Sequence, residues 1–220
     1  VMINSTERKL CLSGWLRAND TVSYFDPLKL QKFLFFYESF IKATTDKNYE
    51  FDHLKGYKRG PVFSNVWGDY TKNRTEFNSY ADKAYKNEAD MIDNKVANKC
   101  RFLVASLSDN ELSSLTHQMN IWKCKADRIN RGERQVALSD DDFNDDDKKF
   151  ICTLDSMFPY DMTTNSEIVN IGQTYFVFSK ADHTKLTEGQ FDILSAVSNS
   201  KELHNPVFVD IDNEGRLIID

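Results

Sequence analysis

No other segment limits the possible folds as tightly as residues 26–43, DPLKLQKFLFFYESFIKA. Asp26 has the short acceptor side chain of a helix N-cap, and Pro27 suits the first helical position, where a missing N–H costs nothing. Leu30, Phe33, Leu34, Tyr37, Phe40 and Ile41 recur at spacings of three and four and draw one apolar stripe. Phe35 and Phe36 widen that stripe, which predicts a helix enclosed by neighbours on more than one side. Lys29, Gln31, Lys32, Glu38 and Lys42 interrupt the run, so it falls short of the ~20 apolar residues of a membrane span.

The flanking pattern is mainly helical. Residues 7–18 predict a shorter helix, and 49–61 predict short extended segments and turns punctuated by Gly56 and Gly60-Pro61. Pro61 is expected to open a helix carrying Val62, Phe63, Val66, Trp67 and Tyr70, and the polar stretch 71–88 to be loop-rich. A helix is expected over 89–107. Ser108 and Glu111 then have capping-box spacing ahead of Leu112, Leu115 and Met119. Ser139 is expected to cap a helix that runs through Phe150, Ile151, Leu154 and Met157. Beyond a boundary near 160–168, residues 175–178, 206–211 and 216–219 read as strands, the last two joined by the turn Asp212–Gly215. Thr187 and Gln190 box the start of an intervening helix. The expected fold is therefore α+β and mainly helical. A helical domain would span 1–162, and a small antiparallel sheet with one helix, ordered β-α-β-β, would span 163–220.

Composition narrows the function classes. Aromatics make up 13% of the 220 residues, which predicts a packed core rather than disorder. The net charge of −6 disfavours global steering to nucleic acid or an anionic membrane. Cys11, Cys100, Cys124 and Cys152 are far apart and form no CxxC pair, as expected for reduced thiols in a cytoplasmic protein. No apolar signal segment stands at the N-terminus.

The chain carries no GxSxG elbow, P-loop, GxGxxG or HExxH, and its four histidines lack metal-ligand spacing. Neither Asp140–Asp145 nor Asp210–Gly215 completes a calcium loop. No catalytic residue, metal or cofactor is expected. The aspartate run 140–147 reads as a solvated helix start or as an acidic docking face. The basic stretch 123–134 has no interleaved aromatics for nucleic-acid stacking, so direct nucleic-acid binding is not expected.

Three stretches together carry a resemblance. They are Leu28–Tyr37 (LKLQKFLFFY), Gly56–Trp67 (GYKRGPVFSNVW), and Leu112–His117 with Ile121-Trp122. Their order and spacing resemble the Panacea domain, also called the SocA-like antitoxin or phage-associated domain, over about residues 26–130. That family usually places proline directly before the closing tryptophan, where this chain has Ile121. The resemblance implies a helical domain with a small β element near the Gly-Pro motif. It also implies an antitoxin that binds and neutralises a cognate toxin directly or presents it to a protease. A prophage or mobile-element protein that binds a host or defence factor is the neighbouring expectation. Lys32, Lys58, Arg59, Asn65, Trp67 and Trp122 are the candidate partner-binding residues, with Trp67 and Trp122 also expected as core anchors. An enzyme assembled from Lys58, Arg59, Asp69 and His117 is the competing reading.

Overall fold

The computed structural model describes residues 2–220. It is α+β and mainly helical, with 59% helix and two small sheets. Helices α1 (Glu7–Asn19) and α2 (Thr21–Phe25) lead into α3 (Pro27–Thr44), the central helix. The Asp26 carboxylate accepts the amides of Leu28 and Lys29, and fourteen of the eighteen residues of α3 are buried. Neighbours enclose it on all sides. Trp15 stacks on Phe33 with ring centroids 5.7 Å apart, and Phe35 packs on Phe51 and Phe36.

A hairpin follows, β1 (Leu54–Tyr57) and β2 (Gly60–Phe63), extended into three strands by β3 (Val136–Ala137). Pro61 therefore lies in a strand, and helix α4 (Ser64–Lys72) starts three residues later than expected. Residues 74–88 form a full helix, α5 (Arg74–Glu88), not a loop. Its buried positions Phe77, Ala81 and Ala84 are mostly too small to stand out in the pattern. They face α1 at Gly14, where a Cβ would press on the Ala81 carbonyl and within 2.8 Å of Tyr85 Cβ. That glycine sets the close approach of the two helices.

Helix α6 (Asn94–Ala105) begins five residues later than expected, because the Asp93 carboxylate caps it at Lys95 and Val96. The boxed helix α7 (Asp109–Gln118) is followed by short turns α8 (Asn120–Lys123) and α9 (Ala126–Asn130). Ser139 caps only a 3-10 turn at Asp140–Asp142. Asn144 instead caps α10 (Asp145–Met157), which leads into α11 (Tyr160–Thr164).

The C-terminal sheet holds four strands: β4 (Ser166–Ile171), β5 (Thr174–Ser179), β6 (Val207–Ile211) and β7 (Leu217–Ile219). It is mixed, not antiparallel. β5 pairs parallel with β6, Phe176 opposite Val207, because residues 180–206 cross over through α12 (Lys180–His183) and α13 (Glu188–Val197). The order is thus β-β-α-α-β-β. Phe176 and Phe178 fill a small core with Leu194, Val207 and Val209, while Val177, on the other face of β5, joins the main core.

Buried charge ties α1 to α3. Glu38, fully buried, accepts hydrogen bonds from Arg8 Nε and Nη2 at 2.8 Å, Lys9 Nζ at 2.6 Å and the Glu50 amide at 3.0 Å. Lys9 is equally buried and also reaches the carbonyl and carboxylate of Glu50. Removing one member leaves the other charge without compensation. Glu38→Ala is expected to cost about 3–5 kcal/mol in urea denaturation. A loss below about 1 kcal/mol would contradict this network's role.

Candidate functional site

The hairpin is fastened to the first turns of α3. Gln31 Oε1 accepts the Phe63 amide at 2.8 Å, and its Nε2 donates to the Phe63 carbonyl at 3.4 Å. One residue on, Lys32 Nζ donates to the Pro61 carbonyl at 3.2 Å. Gly60 makes this seat possible. It sits at φ +110°, and a Cβ there would fall 2.6 Å from Lys32 Nζ and closer still to Thr116 Oγ1.

Behind the hairpin, Trp122 Nε1 donates to the Tyr57 carbonyl at 2.9 Å, and the His117 ring stacks on Trp122 at 4.0 Å. Burial, together with the charge of Lys32, lowers the His117 pKa, and a backbone hydrogen bond with Lys58 opposes it. The Ile121 amide donates to Asp147 Oδ2 at 2.9 Å, beside the Asn120 amide at 2.6 Å. A proline at 121 could not make that bond. Asp147, from the aspartate run, is thus a buried cap for α8, while Asp140 pairs with Lys42 at 2.8 Å and accepts the Tyr49 hydroxyl.

In front of the hairpin lies a cleft of about 560 Å³. Its walls come from four elements: Asp26 to Lys32 at the start of α3, Tyr57 to Val62 of the hairpin, Trp67 of α4 and Asp109 of α7. Trp67 is 39% exposed and is not a core anchor. Val66, Asp69 and Tyr70 define the buried face of α4, and Trp67 lies a hundred degrees off it. Trp122, at 5% exposure, is the anchor that was expected.

The electrostatics of the cleft are unusual at two points. Lys32 is 1% exposed and has no carboxylate partner. Burial, reinforced by the charge of Arg59 and opposed by that of Asp109, lowers its pKa to about 7. Across the cleft, burial and the adjacent carboxylate of Asp26 raise the Asp109 pKa, against Arg59 and Lys29. Arg59 Nη2 stands 3.7 Å from Asp109 Oδ2, an ion pair without a hydrogen bond.

Four of the six candidate residues, Lys32, Lys58, Arg59 and Trp67, therefore line one cleft. Asn65 lies outside it, with its Nδ2 donating to the Asn4 carbonyl at 3.3 Å, and Trp122 supports the hairpin from behind. The set Lys58, Arg59, Asp69 and His117 is not assembled. Asp69 is committed to the amides of Asn4 and Ser5 at 2.8 and 2.7 Å. Asp26, Gln31, Tyr57, Val62 and Asp109 were not anticipated as site residues. The two aspartates read in sequence only as helix-start residues, and Gln31 as part of a helical motif. Among the described residues no group of three His, Cys, Asp or Glu could hold a metal ion, and no helix is long and apolar enough to cross a membrane. No family model, curated protein or solved structure matches the chain.

The buried lysine sets a pH dependence. Its folded pKa lies below the unfolded value, so its burial penalty is complete below pH 7. The penalty fades as pH rises from about 7 toward 10.5, where the unfolded chain still holds the proton and the folded one does not. Lys32→Met is expected to stabilise the protein by about 2–4 kcal/mol at pH 6 and by progressively less toward pH 10. Urea denaturation of both proteins across that range checks it. A gain independent of pH would contradict the assignment.

Proposed function

We propose that the chain is an antitoxin-like protein that binds and neutralises a cognate toxin by direct protein–protein contact, with the cleft at the centre of the contact surface. The observation that carries this reading is the arrangement of Trp67 and Arg59, both exposed, at the mouth of a preformed apolar cleft. Trp, Tyr and Arg are the residue types that dominate interface energetics when they sit around a pocket a partner can fill. The walls are rigidly placed: Gln31 and Lys32 hold the hairpin to α3, and Trp122 braces it from behind. Little ordering of the cleft is then required on binding. The antitoxin class itself comes from the three motifs of residues 26–130, two of which meet at this cleft.

Coexpression with the product of the neighbouring gene, tested first for toxicity on its own, tests the reading. The wild-type chain is expected to rescue growth and to co-purify with the toxin. Trp67→Ala and Arg59→Ala are each expected to weaken the complex at least about tenfold. The Arg59 side chain is largely exposed, so Arg59→Ala should change unfolding stability by no more than about 0.5 kcal/mol, whereas Trp67→Ala, at a site 39% exposed, should cost about 1–2 kcal/mol and still leave the chain folded. Rescue and affinity unchanged in both variants would contradict the placement, and absence of rescue by the wild type would contradict the function for that toxin.

A further inference from the structure

Three lysines are buried around α3, and their surroundings differ: Lys29 lies over the Tyr175 ring and reaches its hydroxyl at 3.5 Å. Lys9 Nζ is 2.6 Å from Glu38 and 3.2 Å from Glu50, so its charge is compensated within the fold. Lys32 Nζ has one carbonyl, that of Pro61, and no carboxylate within salt-bridge distance. One of its three N–H donors is used. An ammonium in that position destabilises the free protein unless something else supplies the counter-charge.

We infer that the cleft binds a carboxylate carried on an apolar group of the partner protein, with Lys32 and Arg59 as its counter-charges and Val62, Trp67 and Pro27 packing around its carbon skeleton. This rests on the cleft being the recognition surface proposed above. The charge balance points to a single negative charge. Lys32, Lys58 and Arg59 line the cleft with Asp26 and Asp109, three basic groups against two acidic ones. A phosphate dianion exceeds that balance, and a carboxylate matches it. Both aspartates already have partners. Asp26 accepts the Leu28 and Lys29 amides at 2.9 and 3.1 Å, and Asp109 faces the Arg59 guanidinium. Arg59, held only loosely at 3.7 Å from Asp109, can turn toward an incoming anion.

The remaining walls select what carries the carboxylate. Pro27, Leu28, Tyr57, Val62 and Trp67 make them largely apolar, and a space of about 560 Å³ takes a residue or two of extended chain rather than a folded surface. A chain terminus ending in an apolar residue and an aspartate or glutamate side chain both supply this chemistry.

Proton linkage follows from the groups around Lys32. Arg59 and Lys58 face it from the hairpin, His117 and Asp109 from α7, and Asp26 from the cap of α3. A bound carboxylate favours the ammonium form, so binding takes up a proton above pH 7, and affinity falls as pH rises further.

The test uses the full-length chain with 13C-labelled lysine side chains, titrated by NMR with three small probes and with inorganic phosphate. N-acetyl-leucine presents a terminal carboxylate, N-acetyl-glutamic α-amide a side-chain carboxylate, and N-acetyl-leucine amide neither. At least one acid is expected to shift the Lys32 Cε resonance and to raise its apparent pKa by one unit or more. The amide is expected to bind at least tenfold more weakly. The stronger of the two acids identifies the source. Equal binding of acid and amide, no Lys32 response to either acid, or tighter binding of phosphate would overturn the inference. The toxin complex separates this from the broader reading. Full affinity in Lys32→Met with loss in Trp67→Ala overturns the carboxylate site and leaves the recognition cleft standing. Full affinity in both overturns the two together.

Discussion

Helix α3 is buried on every side, and that enclosure forces a decision at each polar side chain it carries. Glu38 is met by Arg8, Lys9 and the Glu50 amide. Gln31 takes both backbone groups of Phe63. Lys29, where burial lowers the pKa, lies over the Tyr175 ring at 4.5 Å and reaches its hydroxyl at 3.5 Å. Each of these ties α3 to another part of the molecule: the N-terminal helix, the hairpin and the C-terminal sheet. Lys29 and Lys32 each end at one neutral acceptor, and Lys32 does so where the surface opens into a cleft.

The hairpin connects this buried position to the surface. Gly60 leaves room for the end of Lys32, Pro61 offers its carbonyl, and the turn between the strands carries Lys58 and Arg59 outward. Trp122 and His117 brace the hairpin from the side away from the cleft, and Asp147 in turn fixes the backbone of α8 that carries Trp122. The chain of support runs from α10 through α8 to the hairpin and its cleft. The aspartate run, which reads in sequence as a solvated or docking face, thus supplies part of the scaffold through its one buried member.

How much of this was legible followed from side-chain size and helical phase. α3 was plain because large apolar residues mark every turn, and the boxes at Ser108 and Thr187 were plain because two side chains must be spaced to reach each other's amides. α5 was hidden because its contact with α1 relies on Ala81, Ala84 and Gly14, which carry little hydrophobic signal. β4 was hidden because its residues are only partly buried, with no clear alternation. The parallel pairing of β5 with β6 depends on a crossover whose path local pattern does not encode. Trp67 was misread as core although the signal existed: Val66 and Tyr70, four residues apart, set the buried face and leave Trp67 off it. Lys58 and Arg59 were legible as exposed, but that they share a cleft with Asp26 and Asp109 depends on α3 and α7 starting side by side.

Recognition through the hairpin side of the helical body, as proposed, leaves the C-terminal sheet no direct part, although Phe208 and Ile218 are exposed there. Amide hydrogen exchange of the toxin complex decides between the two surfaces. Slowed exchange over residues 56–68, with residues 166–220 unchanged, is the predicted footprint. Protection confined to residues 166–220, with the hairpin exchanging as in the free protein, would contradict it.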